Sequence, residues 1–348
     1  MLMATGEWMV DTWTLPGANW KWRMQGAAAH FARMLTDARP ADVIMTTDMC
    51  DVSRLRGLLP APHRQVPIVL YFHENQLTFP WSAGDPDLAT RIDLTYGMTN
   101  VMSALAADQI WFNSHFHLTS FMQAARALMD KMPDARINLE VIQAKSRVMP
   151  IPLPLTRRFG DRESLPIQRP LHHPLRLLWN HRWTMDKGMD RFFELLENLS
   201  QSAIPFELIL LGVGADDEKS EWNEWADKWL QCTLQKGTAT SDDEYSTWLQ
   251  KADFIVHDPR QEFFGISLVE AMWHGVIPIV PESGPYPEYV PEEFLSISPV
   301  RMIQTWQKMP MPTMEAFRSK SHDAVTQFCH ISQHILWHQA LLDFHPSH

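Results

Sequence analysis

The 348-residue sequence contains only three cysteines, Cys50, Cys232 and Cys329, and they lie far apart in the chain. No pair has the short spacing of a metal site, and an odd, sparse count argues for a reducing compartment without disulfides. No apolar run approaches the roughly 20 residues that span a bilayer. Residues 1–10 include Glu7 and lack a basic start, so the sequence predicts a cytoplasmic protein without signal peptide or membrane partner.

Cofactor and metal motifs are also missing or weak. No Gly-x-Gly-x-x-Gly follows a predicted strand, which argues against a nicotinamide-dependent enzyme. His330, His334 and His338 are spaced four apart on a predicted C-terminal helix, but no cysteine or carboxylate accompanies them at ligand spacing. We interpret these histidines as an incidental stripe, so the sequence predicts neither a metal nor a cofactor.

Charge is unevenly distributed along the chain. Hydrophobic residues make up 45% and charged residues 20%, which is typical of a soluble globular protein. Residues 1–157 carry fourteen basic and fourteen acidic side chains, whereas residues 158–348 carry sixteen and twenty-seven and account for the net charge of −11. A nucleic-acid partner would therefore have to bind the first half, and the acidic half better suits a small ligand or solvent.

Predicted strands and helices alternate in two successive blocks, separated by a segment with six prolines between positions 150 and 174. Buried strands are predicted at 41–46, 66–72, 109–113 and 148–151, and then at 176–180, 206–212, 252–257 and 275–280. Such alternation predicts parallel sheets, and the length suits two domains. The predicted parts are a first domain at 1–155, a linker at 156–175, a second domain at 176–314 and a C-terminal helix at 315–348, which crosses back to the first domain.

The most informative segment is residues 261–272, with the sequence QEFFGISLVEAM. Glu262 and Glu270 stand eight positions apart, and a helix is predicted to begin directly after Gly265. Backbone N–H groups at a helix N-terminus suit an anionic phosphate. Because buried strands precede and follow the segment, it lies at the carboxyl end of a parallel strand, where open α/β sheets bind ligands. The alternative is an amphipathic helix with a solvated glutamate at each end.

Other candidate residues also follow predicted strands. Arg182 and Lys187 follow the strand at 176–180 just before a helix, where they can hold a diphosphate as negative charge develops on a leaving group. The alternative is a solvated loop with two unrelated cations. His73 follows the strand at 66–72, where a side chain can face a ligand. The alternative is a histidine in a turn whose ring is hydrogen-bonded to backbone groups.

The segment Trp20-Lys21-Trp22-Arg23 interleaves aromatic residues with cations. Such a pattern can stack bases and hold phosphates. It also fits a loop whose tryptophans fill the core while the cations face water. The two interpretations are evenly balanced, because a domain without net charge gives no overall attraction for nucleic acid.

The Glu262-x7-Glu270 pattern closely resembles the signature of retaining nucleotide-sugar glycosyltransferases of family 4. These have the GT-B fold, an α/β architecture of two Rossmann-like domains with parallel sheets that face a cleft. Further segments resemble the tRNA-queuosine α-mannosyltransferase family; they are residues 14–23, 71–77, 112–121, 179–183 and 286–288. The resemblance runs from about residue 12 to about residue 300. Members move mannose from GDP-mannose to queuosine in the anticodon of tRNA for aspartate.

The resemblance implies roles for particular residues. It implies that His73 and Glu262 are catalytic and contact the donor sugar. The implied donor-binding residues are Arg182, Lys187, Phe264, Gly265, Ile266 and Glu270, the last of them on the ribose. The candidate acceptor-binding residues are Trp20, Lys21, Trp22, Arg23, Glu74, Asn75, Asn113 and Ser114. Cations and helix amides stabilise the leaving charge, so no metal is expected and GDP-mannose and tRNA are the expected partners.

Two alternatives stay open at this point. One is a family 4 enzyme with another acceptor, and the other is a truncated form that binds a sugar nucleotide or tRNA without catalysis. Residues 1–13 resemble a second strand with its lead-in, so the first βα unit of such proteins is expected to be missing. Asp85-Pro86-Asp87 matches the Asp-x-Asp of metal-dependent glycosyltransferases, but its Gly/Pro surroundings indicate a turn.

Overall fold

The computed structural model describes residues 8–81, 87–88, 93–132, 137–166, 171–212, 214 and 221–344. The chain forms two compact units, Met1–Ile151 with Gln333–His348, and Pro152–Ser332. Each unit contains one sheet, and all strand pairs in both sheets are parallel. No helix in these described ranges is long and apolar enough to cross a membrane.

The first unit is built on a four-stranded sheet in which the strands follow their order along the chain. Its strands are β1 (Ile44–Thr47), β2 (Ile68–Phe72), β3 (Gln109–Phe112) and β4 (Ser146–Val148). Its helices before residue 151 are α1 (Trp20–Leu35), α2 (Val52–Leu58), α3 (Asp93–Ala106), α4 (His115–Met129) and α5 (Leu139–Ala144). Strand β2 is buried throughout, as its unbroken apolar sequence predicts for an inner strand of a parallel sheet.

The second unit contains a five-stranded sheet in the order β7-β6-β5-β8-β9. Its strands are β5 (Leu175–Trp179), β6 (Phe206–Leu211), β7 (Thr233–Gly237), β8 (Phe254–Val256) and β9 (Ile277–Ile279). Its helices are α6 (Leu155–Phe159), α7 (Met189–Gln201), α8 (Glu221–Asp227), α9 (Asp242–Lys251), α10 (Ile266–Trp273), α11 (Pro299–Trp306) and α12 (Met311–Val325). Because β5 pairs with β6 on one side and β8 on the other, the strand order reverses there, which is where such sheets bind ligands.

The segment predicted as one C-terminal helix contains two helices, α12 and α13 (His330–Leu342), with a 3-10 turn at Thr326–Phe328 between them. The break is stabilised by Leu153, whose N–H donates to the carbonyl of Phe328 over 2.8 Å. The carbonyl of Leu153 accepts the N–H of His330 over 2.7 Å. The main chain of Leu153 thus satisfies groups that a continuous helix would have paired internally.

Helix α13 packs on the first sheet. The indole of Trp337 lies 5.4 Å from the ring of Tyr71 and 5.3 Å from that of Trp111. Its N–H donates to the carbonyl of Pro150 over 3.1 Å. These contacts cover one face of the sheet with residues from the end of the chain, and the buried Ala340 and Leu341 extend the same cluster.

Two sequence predictions about strands need correction. Residues 8–13 form no strand, and residues 1–7 lie outside the described ranges. Trp8 instead donates its indole N–H to the ring of His338 over 3.0 Å. The strand predicted at 148–151 is β4, which ends at Val148, because Pro150 has no N–H to donate to a sheet.

Candidate active site

An ion pair joins the predicted donor-binding residue Lys187 to the predicted catalytic residue Glu262 in the second unit. Lys187 Nζ lies 2.9 Å from Glu262 Oε2, and each side chain is only 15% exposed. Lys187 lies in a 3-10 turn after β5, and Glu262 follows β8, so neighbouring strands bring them together. Burial acts to raise the pKa of Glu262, but Lys187 reverses this and the pKa is lowered. Glu262 is therefore ionised.

Arg182 lies in the same loop after β5 and is far more accessible. Its side chain is 57% exposed and its guanidinium lies 3.5 Å from Asp186 Oδ2. The same oxygen is 3.6 Å from Lys187 Nζ. Asp186, which the sequence analysis did not single out, thus lies between the two cations that were predicted to bind a diphosphate.

Gly265 forms the N-terminus of α10 with a backbone conformation that suits glycine alone. Its φ is +92°, and a Cβ would lie 2.8 Å from the hydroxyl of Tyr289. That hydroxyl donates to the carbonyl of Phe264 over 2.8 Å, and the ring of Phe264 is buried against Phe328. Glycine offers no side chain to cap the helix, and the next residue, Ile266, is exposed. The first N–H groups of α10 are therefore suited to an anion.

Glu270 is buried inside a polar network rather than solvated. Its carboxylate contacts the guanidinium of Arg158, and its Oε2 accepts the hydroxyl of Tyr245 over 3.0 Å. Asn180, after β5, donates to that hydroxyl oxygen over 2.9 Å. Burial raises the pKa of Glu270, and Arg158 acts in the opposite direction. Because Glu262 and Glu270 are both largely buried, the alternative of an amphipathic helix with two solvated glutamates is wrong.

Arg158 is a residue that the sequence analysis missed, since it lies in the predicted linker. Its guanidinium also binds Asp242 at the start of α9, with an Nη2–Oδ1 distance of 2.7 Å. It lies 4.6 Å from the ring of Phe159. The paired arginines at 157 and 158 are a signal in the sequence, but the partners lie far along the chain.

Two buried histidines lie beside the Lys187–Glu262 pair. The rings of His181 and His257, which follow β5 and β8, stack with centroids 3.5 Å apart and an interplanar angle of 17°. The hydroxyl of Tyr286 lies 3.1 Å from Nδ1 of His257. Burial lowers the pKa of both histidines well below its usual range, so both rings are neutral. Their signal in the sequence was a polar residue directly after a buried strand.

In the first unit, His73 is held by its main chain. Its N–H donates to Asp48 Oδ1 over 3.1 Å, and its carbonyl accepts the side-chain amide of Asn113 over 3.0 Å. The residue is exposed, and among the described residues its ring makes no hydrogen bond but lies 4.7 Å from the ring of Tyr71. The ends of β1, β2 and β3 therefore fix the backbone of His73 and leave its ring accessible.

The other acceptor candidates near β2 and β3 make mainly internal contacts. Asn75 is buried, and its Oδ1 accepts the N–H groups of Leu77 and Thr78, each over 3.1 Å. Ser114 is buried and caps α4 by accepting an N–H over 3.0 Å. Glu74 is half-buried and accepts the side-chain amide of Gln76 over 3.0 Å. Of the polar side chains that follow β2, His73 is exposed and Glu74 is half-buried, whereas Asn75 is buried.

The two tryptophans of the Trp20–Arg23 segment fit different interpretations, one of them filling the core and the other facing solvent. Trp20 is half-buried, with its ring 5.4 Å from that of Tyr96, whereas Trp22 is 81% exposed. Lys21 pairs with Asp87 over 2.6 Å. Arg23 is half-buried. Thus Trp20 fills space inside the unit, and Trp22 is the aromatic residue that a base could reach.

Two weaker metal candidates are the Asp85-Pro86-Asp87 segment and the spaced histidines His330, His334 and His338. Asp85 and Pro86 lie outside the described residues, while Asp87 pairs with Lys21 as given above. Across the part of the chain that the structure describes, no group of three or more His, Cys, Asp or Glu side chains could hold a metal ion.

Comparison with known proteins defines the class. Residues 166–301 match the family model described as glycosyl transferases group 1. The structure resembles the N-terminal domain of trehalose-6-phosphate phosphatase from Candida albicans, with a TM-score of 0.68 and 14% identity over 97% of this chain and 78% of the other. It also resembles sucrose-phosphate synthase from Thermosynechococcus elongatus, with a TM-score of 0.66 and 15% identity over 95% and 80%. The chain is a glycosyltransferase with the GT-B fold.

The first unit narrows the class to one family. Residues 1–153 match the family model described as tRNA-queuosine alpha-mannosyltransferase N-terminal. The chain is 28% identical over 299 residues to the tRNA-queuosine alpha-mannosyltransferase of Drosophila melanogaster, covering 82% of this chain and 75% of that one. It is 26% identical over 192 residues to GDP-mannose:cellobiosyl-diphosphopolyprenol alpha-mannosyltransferase of Xanthomonas oryzae pv. oryzae, covering 55% and 48%. The chain belongs to the tRNA-queuosine alpha-mannosyltransferase family.

Proposed function

We propose that this protein transfers mannose from GDP-mannose to queuosine in the anticodon of tRNA for aspartate, with retention of configuration at the sugar. The observation that carries the proposal is the Lys187–Glu262 ion pair at the N-terminal end of α10. The name of the Drosophila relative supplies the acceptor, queuosine in tRNA. The name of the Xanthomonas relative supplies the donor, GDP-mannose.

The donor diphosphate would lie against the loop after β5 and the first turn of α10. Lys187 is held in place by Glu262, and the exposed Arg182 can turn from Asp186 to a phosphate. The N–H groups that follow Gly265 add fixed partial positive charge. Together these groups would stabilise the negative charge that grows on the diphosphate as the glycosidic bond breaks.

The two glutamates would divide the rest of the donor between them. Glu262 is ionised and would accept hydroxyl groups of the mannose near the reacting carbon. Glu270 is oriented by Arg158 and Tyr245, and would accept the ribose hydroxyls. The acceptor hydroxyl attacks from the face that the diphosphate leaves, and a diphosphate oxygen takes its proton. Resident cations and amides supply the positive charge in this scheme, so it requires no metal.

Calorimetry on the full chain tests the donor part. Lys187→Ala and Glu262→Gln each remove one charge-assisted contact, for which about 1.5–3 kcal/mol is typical, so GDP-mannose affinity should fall about ten- to hundredfold. Lys228→Ala is the matched control, because Lys228 is exposed and pairs with Glu197 on the surface. Unchanged affinity in both test variants would place the donor elsewhere.

A transfer assay tests the acceptor part. The full chain is incubated with GDP-mannose and tRNA for aspartate that carries queuosine, and the digested nucleosides are examined by mass spectrometry. We expect a hexose on the modified nucleoside and none on the same tRNA with an unmodified guanine. If the protein binds GDP-mannose but leaves queuosine unchanged, queuosine is not the acceptor, and the protein transfers the sugar to another acceptor of family 4 enzymes.

A further inference from the structure

Asn180, the first residue after β5, has a side-chain amide whose nitrogen end is fully used. Its Nδ2 donates to the hydroxyl of Tyr245 over 2.9 Å and to the carbonyl of Ser267 over 2.8 Å. Because a carbonyl oxygen can only accept, the contact with Ser267 fixes which end of the amide is the nitrogen. Both amide hydrogens are therefore committed, one to α9 and the other to α10.

The oxygen end of the same amide is an acceptor without a donor. Asn180 Oδ1 is buried and has no hydrogen-bond partner among the residues that the structure describes. The residue as a whole is only 6% exposed, so bulk water does not reach this oxygen as it reaches a surface amide. Buried polar atoms are normally paired. Asn180 Oδ1 is thus suited to a hydrogen-bond donor that a ligand brings.

The position of Asn180 matches the middle of a nucleoside diphosphate. Through Ser267 it contacts the first turn of α10, against which the donor diphosphate would lie. Through Tyr245 it is joined to Glu270, because the tyrosine hydroxyl accepts from Asn180 and donates to Glu270 Oε2 over 3.0 Å. Burial and then Glu270 raise the pKa of Tyr245, so the hydroxyl keeps its hydrogen. The amide therefore lies between the proposed diphosphate and ribose contacts.

We propose that Asn180 is a further donor-binding residue, whose Oδ1 accepts one hydroxyl of the donor ribose while Glu270 accepts the other. The proposal rests on the proposed function, which places the ribose beside Glu270. A ribose offers two neighbouring hydroxyl groups, and each can donate one hydrogen. Asn180 Oδ1 makes no hydrogen bond within the described chain that would have to be broken first. Two such acceptors select a ribonucleotide donor over a deoxyribonucleotide donor, which leaves one of them unpaired.

The experiment compares GDP with two analogues, 2′-deoxy-GDP and 3′-deoxy-GDP, by calorimetry on the full chain. Each analogue lacks one ribose hydroxyl, so each should bind the unmodified chain about five- to hundredfold more weakly than GDP does. Asn180→Ala should weaken GDP binding by a similar factor. It should also lose the discrimination against one analogue and keep the discrimination against the other, whose missing hydroxyl pairs with Glu270. Asn198→Ala, at an exposed asparagine of α7, is the matched control.

A second variant separates direct binding by Asn180 from positioning of Glu270. Tyr245→Phe removes the hydroxyl that joins the two residues but leaves Asn180 bound to the carbonyl of Ser267. It should weaken GDP binding and keep the discrimination that Asn180→Ala loses. The melting temperature reports whether each variant is folded. If Asn180→Ala does not fold, Asn180→Ser, which keeps a small polar group there, takes its place.

Three results would overturn the contact and leave the donor site of the proposed function standing. The first is an unmodified chain that binds either deoxy analogue as tightly as GDP. The second is an Asn180→Ala variant that discriminates against both analogues as the unmodified chain does. The third is a variant that loses both discriminations, since Asn180 would then act only through Tyr245 and Glu270. If the unmodified chain does not bind GDP at all, the donor site itself is wrong and the contact fails with it.

Discussion

Arg158 forms an ion pair with Glu270 across 112 positions of sequence, and both belong to the second unit. The contact orients a buried carboxylate that also accepts the hydroxyl of Tyr245. The same guanidinium binds Asp242, so one arginine joins α6, α9 and α10. The proposed ribose-binding carboxylate is thus held in place by a residue that was assigned to a linker.

The first prediction concerns Arg158→Ala. Burial already raises the pKa of Glu270, and loss of Arg158 removes the charge that acts in the opposite direction. In this variant the pKa of Glu270 should rise further, so that Glu270 takes up a proton at a higher pH. GDP binding is expected to need the ionised carboxylate. As the pH is lowered, GDP affinity should therefore begin to fall at a higher pH than it does in the unmodified chain. Near neutral pH we expect affinity to fall about tenfold.

Calorimetry with GDP over a range of pH measures this effect. Arg147→Ala is the control, because Arg147 pairs with Asp343 in the first unit. A GDP affinity with the same pH dependence in Arg158→Ala and in the unmodified chain would contradict the role of Arg158.

The second prediction concerns Gly265→Ala. The φ of +92° is strained for alanine, and the added Cβ would lie 2.8 Å from the hydroxyl of Tyr289. We expect a loss of about 1–3 kcal/mol in the free energy of unfolding, together with weaker GDP binding. Gly26→Ala in the middle of α1 meets nothing within 4 Å and should stabilise the protein by about 1 kcal/mol or less. Urea unfolding compares the two, and equal effects would rule out a special requirement for glycine at the start of α10.

The third prediction concerns a buried ion pair that connects α12 to the second sheet. Arg318 Nη2 lies 2.5 Å from Asp253 Oδ1, and both side chains are 0% exposed. Arg318→Met should cost about 3–5 kcal/mol of unfolding free energy, because it leaves a buried carboxylate without its cation. Arg147→Ala, which breaks a surface pair, should cost about 1 kcal/mol or less.

The pH dependence of stability gives a separate check on Asp253. Burial acts to raise its pKa, but His172 and Arg318 reverse this, so its pKa is lowered in the folded protein. The stability it contributes is therefore present above the pKa of an unfolded aspartate and is lost as the pH falls through the folded value. Urea unfolding from neutral to acidic pH should show this loss, and Arg318→Met should show less of it. If Arg318→Met lowers the unfolding free energy by no more than Arg147→Ala does at every pH, the stabilising role of the Arg318–Asp253 pair is contradicted.

The fourth prediction compares two tryptophans that are two positions apart. Trp22→Ala should leave the melting temperature unchanged, because the side chain is 81% exposed, but should weaken tRNA binding about five- to hundredfold if a base stacks on it. Trp20→Ala should lower the melting temperature, because its ring packs against Trp81 and Tyr96. Thermal unfolding and tRNA binding measure the two effects. Full tRNA affinity in Trp22→Ala would exclude Trp22 from the tRNA interface.

Much of the candidate site could be predicted because its residues follow strands. Lys187 and Glu262 come after β5 and β8, and parallel strands bring their carboxyl ends to one edge of a sheet. The same reasoning could not reveal Arg158, whose partners are set by how α6 packs rather than by any local pattern. Nor could it reveal the stacked His181 and His257, since their separation depends on the pairing of two strands.

In the fold, too, local sequence patterns could be predicted and contacts between distant segments could not. Strand β2 was predicted because its apolar run is local, whereas the end of α12 was not predicted, since no glycine or proline marks it. That end depends on hydrogen bonds to Leu153, far away in the sequence. Asn113 likewise was predicted to bind the acceptor, and the structure gives its amide a contact with the carbonyl of His73.

The position of α13 has a consequence for the order in which the protein folds during synthesis. The face of the first sheet that carries Tyr71 and Trp111 is covered by Trp337. A ribosome makes the first sheet before the second unit and releases Trp337 only after it, so this aromatic face stays uncovered while the whole second unit is made. Nascent chains expose such apolar surface at the risk of aggregation, and they are the form that chaperones bind. Synthesis of the first unit thus begins before that of the second unit and is completed only after it.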